Sequence, residues 1–281
     1  MRVLPTYAAG YFVTCAVIWA LSDPGKELSV GSVMAGSIPG LKFLVGVSAP
    51  GDGIVWTLIV ELVFYGICLV AYRALTRYWQ AIVGVAAACV ATQWLLGLAP
   101  ADAPLAGLRF VVLLACPFVP VMLVGVVLSA RRRGNISGLA VALLVPLLAA
   151  TNLVLMSTTP GAVGLKYRLT FVGTIVLFTA VWAVGDRWKP HPVAGFFADV
   201  SYPLYVVHPV LGYATLSVLS KYGVPAAVSV LGASGVAIAA AWVLHILVEG
   251  PTHRLGQRWA RRIAYAPVVG PVPVLASASP G

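Results

Sequence analysis

Eight apolar runs, separated by short polar stretches, account for most of the chain. They are Pro5–Leu21, Ile54–Leu75, Trp79–Ala99, Leu108–Ala130, Ile136–Ser157, Leu169–Gly185, Ser201–Ser220 and Pro225–Val248. A helix needs about 20 apolar residues to cross a bilayer. Hydrocarbon offers the backbone no hydrogen-bond partner, so each run must satisfy its own N–H and C=O groups as a helix. The alternating pattern of a membrane barrel is absent. The pattern therefore predicts an all-α polytopic membrane protein of about eight transmembrane helices. Residues 1–265 form one membrane domain, and residues 266–281 are a Pro-rich tail expected to be disordered. A basic residue before an apolar run is also the form of a secretory signal, but Pro5, Thr6, Tyr7 and Tyr11 fit a span better. The loop from Ser22 to Gly53 has an apolar middle too short to span, expected to lie at the interface or dip inward.

Composition narrows the class. Of 281 residues, 60% are hydrophobic and 9% charged, against about 25% charged in a soluble domain. This excludes a soluble enzyme, a disordered scaffold and a small disulfide-stapled module. The net charge is +10, which in a soluble protein would suggest nucleic acid. No basic run here is interleaved with aromatics, so no nucleic-acid partner is expected. The basic residues instead collect in alternate loops: Arg2, Arg73 and Arg77, Arg131–Arg133, Arg187 and Lys189, and Arg254 to Arg262. That asymmetry assigns these loops and both termini to the cytoplasm. A bacterial cytoplasmic membrane is the expected location. Cys15, Cys68, Cys89 and Cys116 stand far apart in apolar runs and read as core residues. No metal site is expected.

Ionisable residues within spans cost about 2.5–3.5 kcal/mol on insertion scales and mark candidate sites. Thr57, Glu61 and Tyr65 recur at four-residue spacing and make one polar stripe on a helix opened by Trp56. Either function or a neutral, hydrogen-bonded Glu locking helix packing explains Glu61. Ser201, Tyr205 and His208 share a second face, and Pro209 removes the N–H that the Tyr205 carbonyl would accept. His208 is thus either a cavity-lining group or a histidine satisfied by a neighbouring helix. His245 and Glu249 read as an interfacial pair able to snorkel, with Gly250 and Pro251 ending the last helix. The basic stretch from Arg254 to Arg262 reads as a topology and anionic-lipid anchor, open also to cofactor phosphates.

Four strings together resemble the acyltransferase 3 family of integral membrane acyltransferases. They are R-V-L-P-T-Y (Arg2–Tyr7), W-T-L-I-V-E-L-V-F-Y (Trp56–Tyr65), S-Y-P-L-Y-V-V-H (Ser201–His208) and V-E-G-P (Val248–Pro251). They occur in the family's order across nearly the whole chain.

The resemblance implies transfer of an acyl group, often acetyl, from cytoplasmic acyl-CoA to a hydroxyl. The acceptor would be an extracytoplasmic glycan, lipid or small molecule. Glu61 and His208 would be catalytic. Trp56, Thr57, Tyr65, Ser201, Tyr202 and Tyr205 would line the substrate path, and Arg2 would meet the CoA phosphates. Glu61 would enter that path from outside and His208 from the cytoplasmic side. Such chemistry needs a base for the acceptor hydroxyl. Members of the family usually have ten spans, the first bearing the catalytic histidine. Nothing in this sequence matches that segment, so either a start placed too far downstream or a truncated gene is expected, in preference to an evolved short form. A glycan or lipid transporter would show similar polar stripes, and a non-catalytic remnant would keep them; acyl-CoA consumption separates both from an enzyme. Membrane lipid is an expected partner, and a homo-oligomer is compatible with the sequence.

Overall fold

The computed structural model describes residues 3–21, 29–41, 55–98, 106–158, 164–187, 189 and 191–264. Arg2 and the tail 266–281 lie outside the described residues. Those described are helical: α1 (Val3–Leu21), α2 (Val30–Ser37), α3 (Val55–Arg77), α4 (Trp79–Leu98), α5 (Ala106–Ala115), α6 (Val119–Arg132), α7 (Gly138–Thr158), α8 (Leu165–Val184), α9 (Pro192–Lys221), α10 (Ala226–Leu244) and α11 (Gly250–Ala264). Seven helical segments are long and apolar enough to cross a membrane, and eight with α5 and α6 counted as one broken span. The chain is a multi-pass, all-α membrane protein.

Proline explains the break. Pro117 and Pro120 withhold backbone donors, and α5 and α6 meet at 48°. The Pro117 carbonyl accepts from Asn152 Nδ2 of α7 at 2.6 Å, and Asn152 is fully buried. A single buried amide thus gives the Pro117 carbonyl a partner and ties α7 to the break. The sequence pattern predicts one continuous span here; the structure divides it.

Two further boundaries differ from the sequence reading. The last helix does not end at Gly250 and Pro251. It passes through a π turn, His245–Glu249, in which the Gly250 N–H reaches back to the His245 carbonyl, and continues as α11. A Cβ on Gly250 would sit 3.2 Å from that carbonyl, so glycine suits the turn. Pro251 then falls in the first turn of α11, where its missing N–H is tolerated. The Thr252 hydroxyl donates to the Val248 carbonyl at 2.7 Å. The seventh span likewise begins earlier than the pattern predicts, because α9 starts at Pro192 with His191 capping it.

The helices pack in two groups. One gathers α4 to α8 around Leu123, Val127 and Leu148. The other joins α1, α9 and α10 around Tyr7, Tyr11, Val206, Val207 and Ala241. Helix α3 belongs to both: Leu58 and Ile59 pack in the second group, Phe64 and Leu75 in the first. Arginine-bearing ends meet as the charge pattern requires. Arg133 donates to Tyr72 Oη, Asn135 donates to the Thr76 carbonyl, and Arg132 lies over the Trp182 ring. We call this the basic end.

Residues 42–54, which hold most of the apolar middle of the loop, lie outside the described residues; the short helix α2 ahead of them reaches inward. The Gly36 carbonyl accepts from the Tyr7 hydroxyl at 2.8 Å. Tyr7 lies on the second turn of α1, so α2 returns roughly 20 Å along α1 from its far end. Helix α1 itself crosses α9 closely: a Cβ at Gly10 would collide with Val206 Cγ1. We expect Gly10→Ala to lose about 1–3 kcal/mol, the usual cost of overpacking, measured as reduced resistance to unfolding in detergent micelles. Unchanged stability would mean that α1 and α9 do not approach so closely.

Candidate functional site

Helices α1, α3 and α9 enclose a cavity of about 540 Å³. The α3 stripe lines it with Thr57, Glu61 and Tyr65, and α9 contributes Ser201, Tyr202 and Tyr205. The four-residue period on α3 and the i, i+1, i+4 set on α9 turn these side chains toward the same space. Val3 and Tyr7 of α1 close the third side. The cavity runs from Thr57 and Tyr205, at mid-span of α9, to Val3 and Ala198 near the basic end.

Most of the hydroxyls serve the fold. Tyr202 Oη donates to the Val3 carbonyl at 3.0 Å and ties α9 to the start of α1. Ser201 Oγ donates to the Ala198 carbonyl in its own helix. Thr57 Oγ1 and Tyr205 Oη are 2.5 Å apart and join α3 to α9 at the inner limit of the cavity. Glu61 is different. It is half-buried, faces the cavity, and no described residue hydrogen-bonds its carboxyl. A carboxyl left without a partner in a membrane cavity is available to a ligand.

Two sequence-selected residues stand apart from the cavity. Trp56 points to the break between α5 and α6, where its ring packs on Phe118 at 5.2 Å, and Phe118 packs on Phe171 at 5.5 Å. Trp56 therefore fixes the position of the helix that carries Glu61. His208 lies one turn beyond Tyr205, in a second depression between α9 and α10. Its ring is 6.0 Å from that of Tyr205. Helix α9 leaves the basic end at Pro192, so His208 lies farther from that end than Ser201 and Tyr202 do. The sequence reading has Glu61 entering the path from outside and His208 from the cytoplasmic side. Because α9 starts as early as Pro192, the order is reversed, and the two lie on opposite sides of the Thr57–Tyr205 bond with Glu61 on the basic side. Arg2 lies outside the described residues.

A family model described as an acyltransferase domain, that of the acyltransferase 3 family, matches residues 1–246. The chain belongs to the acyltransferase 3 family. No curated protein and no solved structure matches it. The cavity between α1, α3 and α9 unites three of the four strings that resemble the family's motifs, through Tyr7, Thr57 to Tyr65, and Ser201 to Tyr205. The fourth string, at Val248–Pro251, lies beyond the matched residues.

The structure also corrects the reading of that fourth string. Glu249 is 1% exposed and does not snorkel. It accepts from His245 Nδ1 at 2.8 Å, and together with Glu61 it lies within electrostatic reach of the Tyr202 hydroxyl. The π turn puts this carboxyl inward, against α1. No pattern of spacing foretells a π turn, which is why the pair reads as interfacial in the sequence.

The Thr57–Tyr205 contact is testable. Thr57→Val and Tyr205→Phe should each weaken the fold, and the double variant should lose less than their sum. The coupling should be about 0.6–1.5 kcal/mol, the range for one hydrogen bond between membrane helices. Strictly additive losses in a reversible unfolding assay in mixed micelles would show that the two hydroxyls do not meet.

Proposed function

We propose that this protein transfers an acyl group, acetyl in the simplest case, from cytoplasmic acyl-CoA to a hydroxyl presented from the far side of the membrane. The observation that carries this reading is the unbonded Glu61 carboxyl in a cavity that extends toward the basic end of an acyltransferase 3 family protein. Acyl-CoA is a polyanion attached to a flexible arm. Its phosphates suit the basic end, where Arg254 and Arg258 of α11 are exposed, and where Arg2 is proposed to contribute. Its arm and thioester suit a cavity with apolar walls and hydroxyl-bearing rings.

In the proposed step, the acceptor hydroxyl gives its proton to the Glu61 carboxylate. Its oxygen attacks the thioester carbonyl carbon, the C–S bond breaks, and the CoA thiolate leaves and takes up the proton. An oxygen ester and free CoA result, and no redox partner is needed. Tyr65, one turn from Glu61, is placed to orient the reacting groups. Ser201, Tyr202 and Tyr205 hold the opposite wall. His208 meets the acceptor on the other side of Tyr205.

Glu61→Gln keeps the shape of the side chain and removes the base. We expect acyl transfer to fall by at least about 100-fold, with helicity and thermal unfolding unchanged. The assay follows release of the CoA thiol and appearance of the ester in membranes expressing the chain from its native locus. Turnover within a few-fold of the parent would overturn the role of Glu61. Failure of the parent itself to consume acyl-CoA would favour a transporter or a non-catalytic protein.

A further inference from the structure

Pro209 has a consequence for His208 that the spacing alone does not show. An amide N–H at position 209 would bond the carbonyl of Tyr205, four residues back, and proline has none. Helix α9 nevertheless runs unbroken through this point. The freed carbonyl is met by the imidazole: His208 Nδ1 lies 3.0 Å from the Tyr205 carbonyl oxygen and 3.1 Å from that of Leu204. A carbonyl oxygen only accepts, so Nδ1 carries the hydrogen. In the neutral ring Nε2 is then a bare acceptor. Among the described residues, nothing donates to it.

This acceptor faces the depression between α9 and α10, in the half of α9 remote from the basic end. The depression has a volume of about 360 Å³, with walls that include Pro209, Gly212 and Ala233 and a rim bearing Tyr213 and Ser234. Tyr213 is 75% exposed, so the depression opens to the outer surface of the helix pair, within a span of bilayer length. The Ser234 hydroxyl is spent on the Val230 carbonyl. Among the described residues no cation lines the depression, so an anionic group would find no countercharge from them. A neutral hydroxyl, in contrast, donates what Nε2 lacks, and an alkyl chain suits the remaining walls.

We propose that the groove between α9 and α10 binds a neutral, hydroxyl-bearing membrane amphiphile, whose hydroxyl donates to His208 Nε2. The proposal rests on the acyl-transfer reading, for which it supplies the class of acceptor and its lateral route from the bilayer. Tyr205 separates this groove from the Glu61 cavity: its ring lies beside His208 and its hydroxyl is held by Thr57. The hydroxyl reaches Glu61 when that hydrogen bond opens.

The test uses a photoreactive, clickable monoalkylglycerol and its fully O-methylated analogue, with the whole protein in lipid nanodiscs and no acyl-CoA present. Labelled peptides are mapped by mass spectrometry. The hydroxyl probe should label segments 208–216 and 230–237 about fivefold more than the methylated one, the worth of one hydrogen bond. His208→Leu should abolish that preference, and His208→Gln, which keeps an acceptor, should restore part of it. Ser234→Trp, on the other wall, should reduce labelling by both probes and keeps the test decisive if His208→Leu fails to fold. Equal labelling by the two probes, or a preference unchanged in His208→Leu, would overturn the assignment. Because labelling is read without acyl-CoA, an inactive protein that keeps the preference would count against the acyl-transfer reading alone.

Discussion

Hydrocarbon supplies no hydrogen bonds, so each interruption of a helix inside the membrane must be answered by another group of the protein. Much of this architecture consists of such answers. Asn152 covers the Pro117 carbonyl at the broken span, and Gln93 Nε2 donates to the Leu155 carbonyl at 2.6 Å. Tyr7 satisfies Gly36 in the last turn of α2, and the His208 ring takes the carbonyl that Pro209 leaves free. The Glu61 carboxyl and His208 Nε2 are different in position: each lines a cavity or depression, and no described residue bonds either.

The placement of the Glu61 carboxyl follows from helix α3. It is shared by the two packing groups, and its N-terminal half carries Thr57 and Glu61 into the group formed by α1, α9 and α10. Trp56 locks the start of α3 against the break between α5 and α6. The cavity is therefore a feature of the joint between the groups. The Thr57–Tyr205 hydrogen bond joins α3 to α9 and divides the basic side, where Glu61 lies, from the far side, where His208 lies. A division of this kind supports the proposed transfer between a donor and an acceptor on opposite faces.

The sequence revealed the class of fold and much of the cavity, because both follow from periodicity. Apolar runs of bilayer length predict the helices, and four-residue spacing places Thr57, Glu61 and Tyr65 on one face. What it concealed depended on tertiary partners. Asn152 and Gln93 are ordinary polar residues in a sequence and become meaningful only opposite a carbonyl. Tyr7 was legible as part of a motif string, but not as a wall of the cavity, since that depends on how closely α1 approaches α9 at Gly10. The burial of Glu249 depends on a π turn, and the separation of His208 from Glu61 depends on the direction in which α9 crosses the membrane. Spacing gives neither.

The proposed transfer consumes the thioester donor at the basic end and passes its acyl group across the protein. It is tested most directly with sealed membrane vesicles of opposite orientation, loaded with acetyl-labelled acetyl-CoA on the outside only. Release of the CoA thiol, with label passing into alkali-labile ester, should occur in inside-out vesicles and be absent from right-side-out vesicles until they are permeabilised. Equal release in both orientations, or release in neither, would contradict the account.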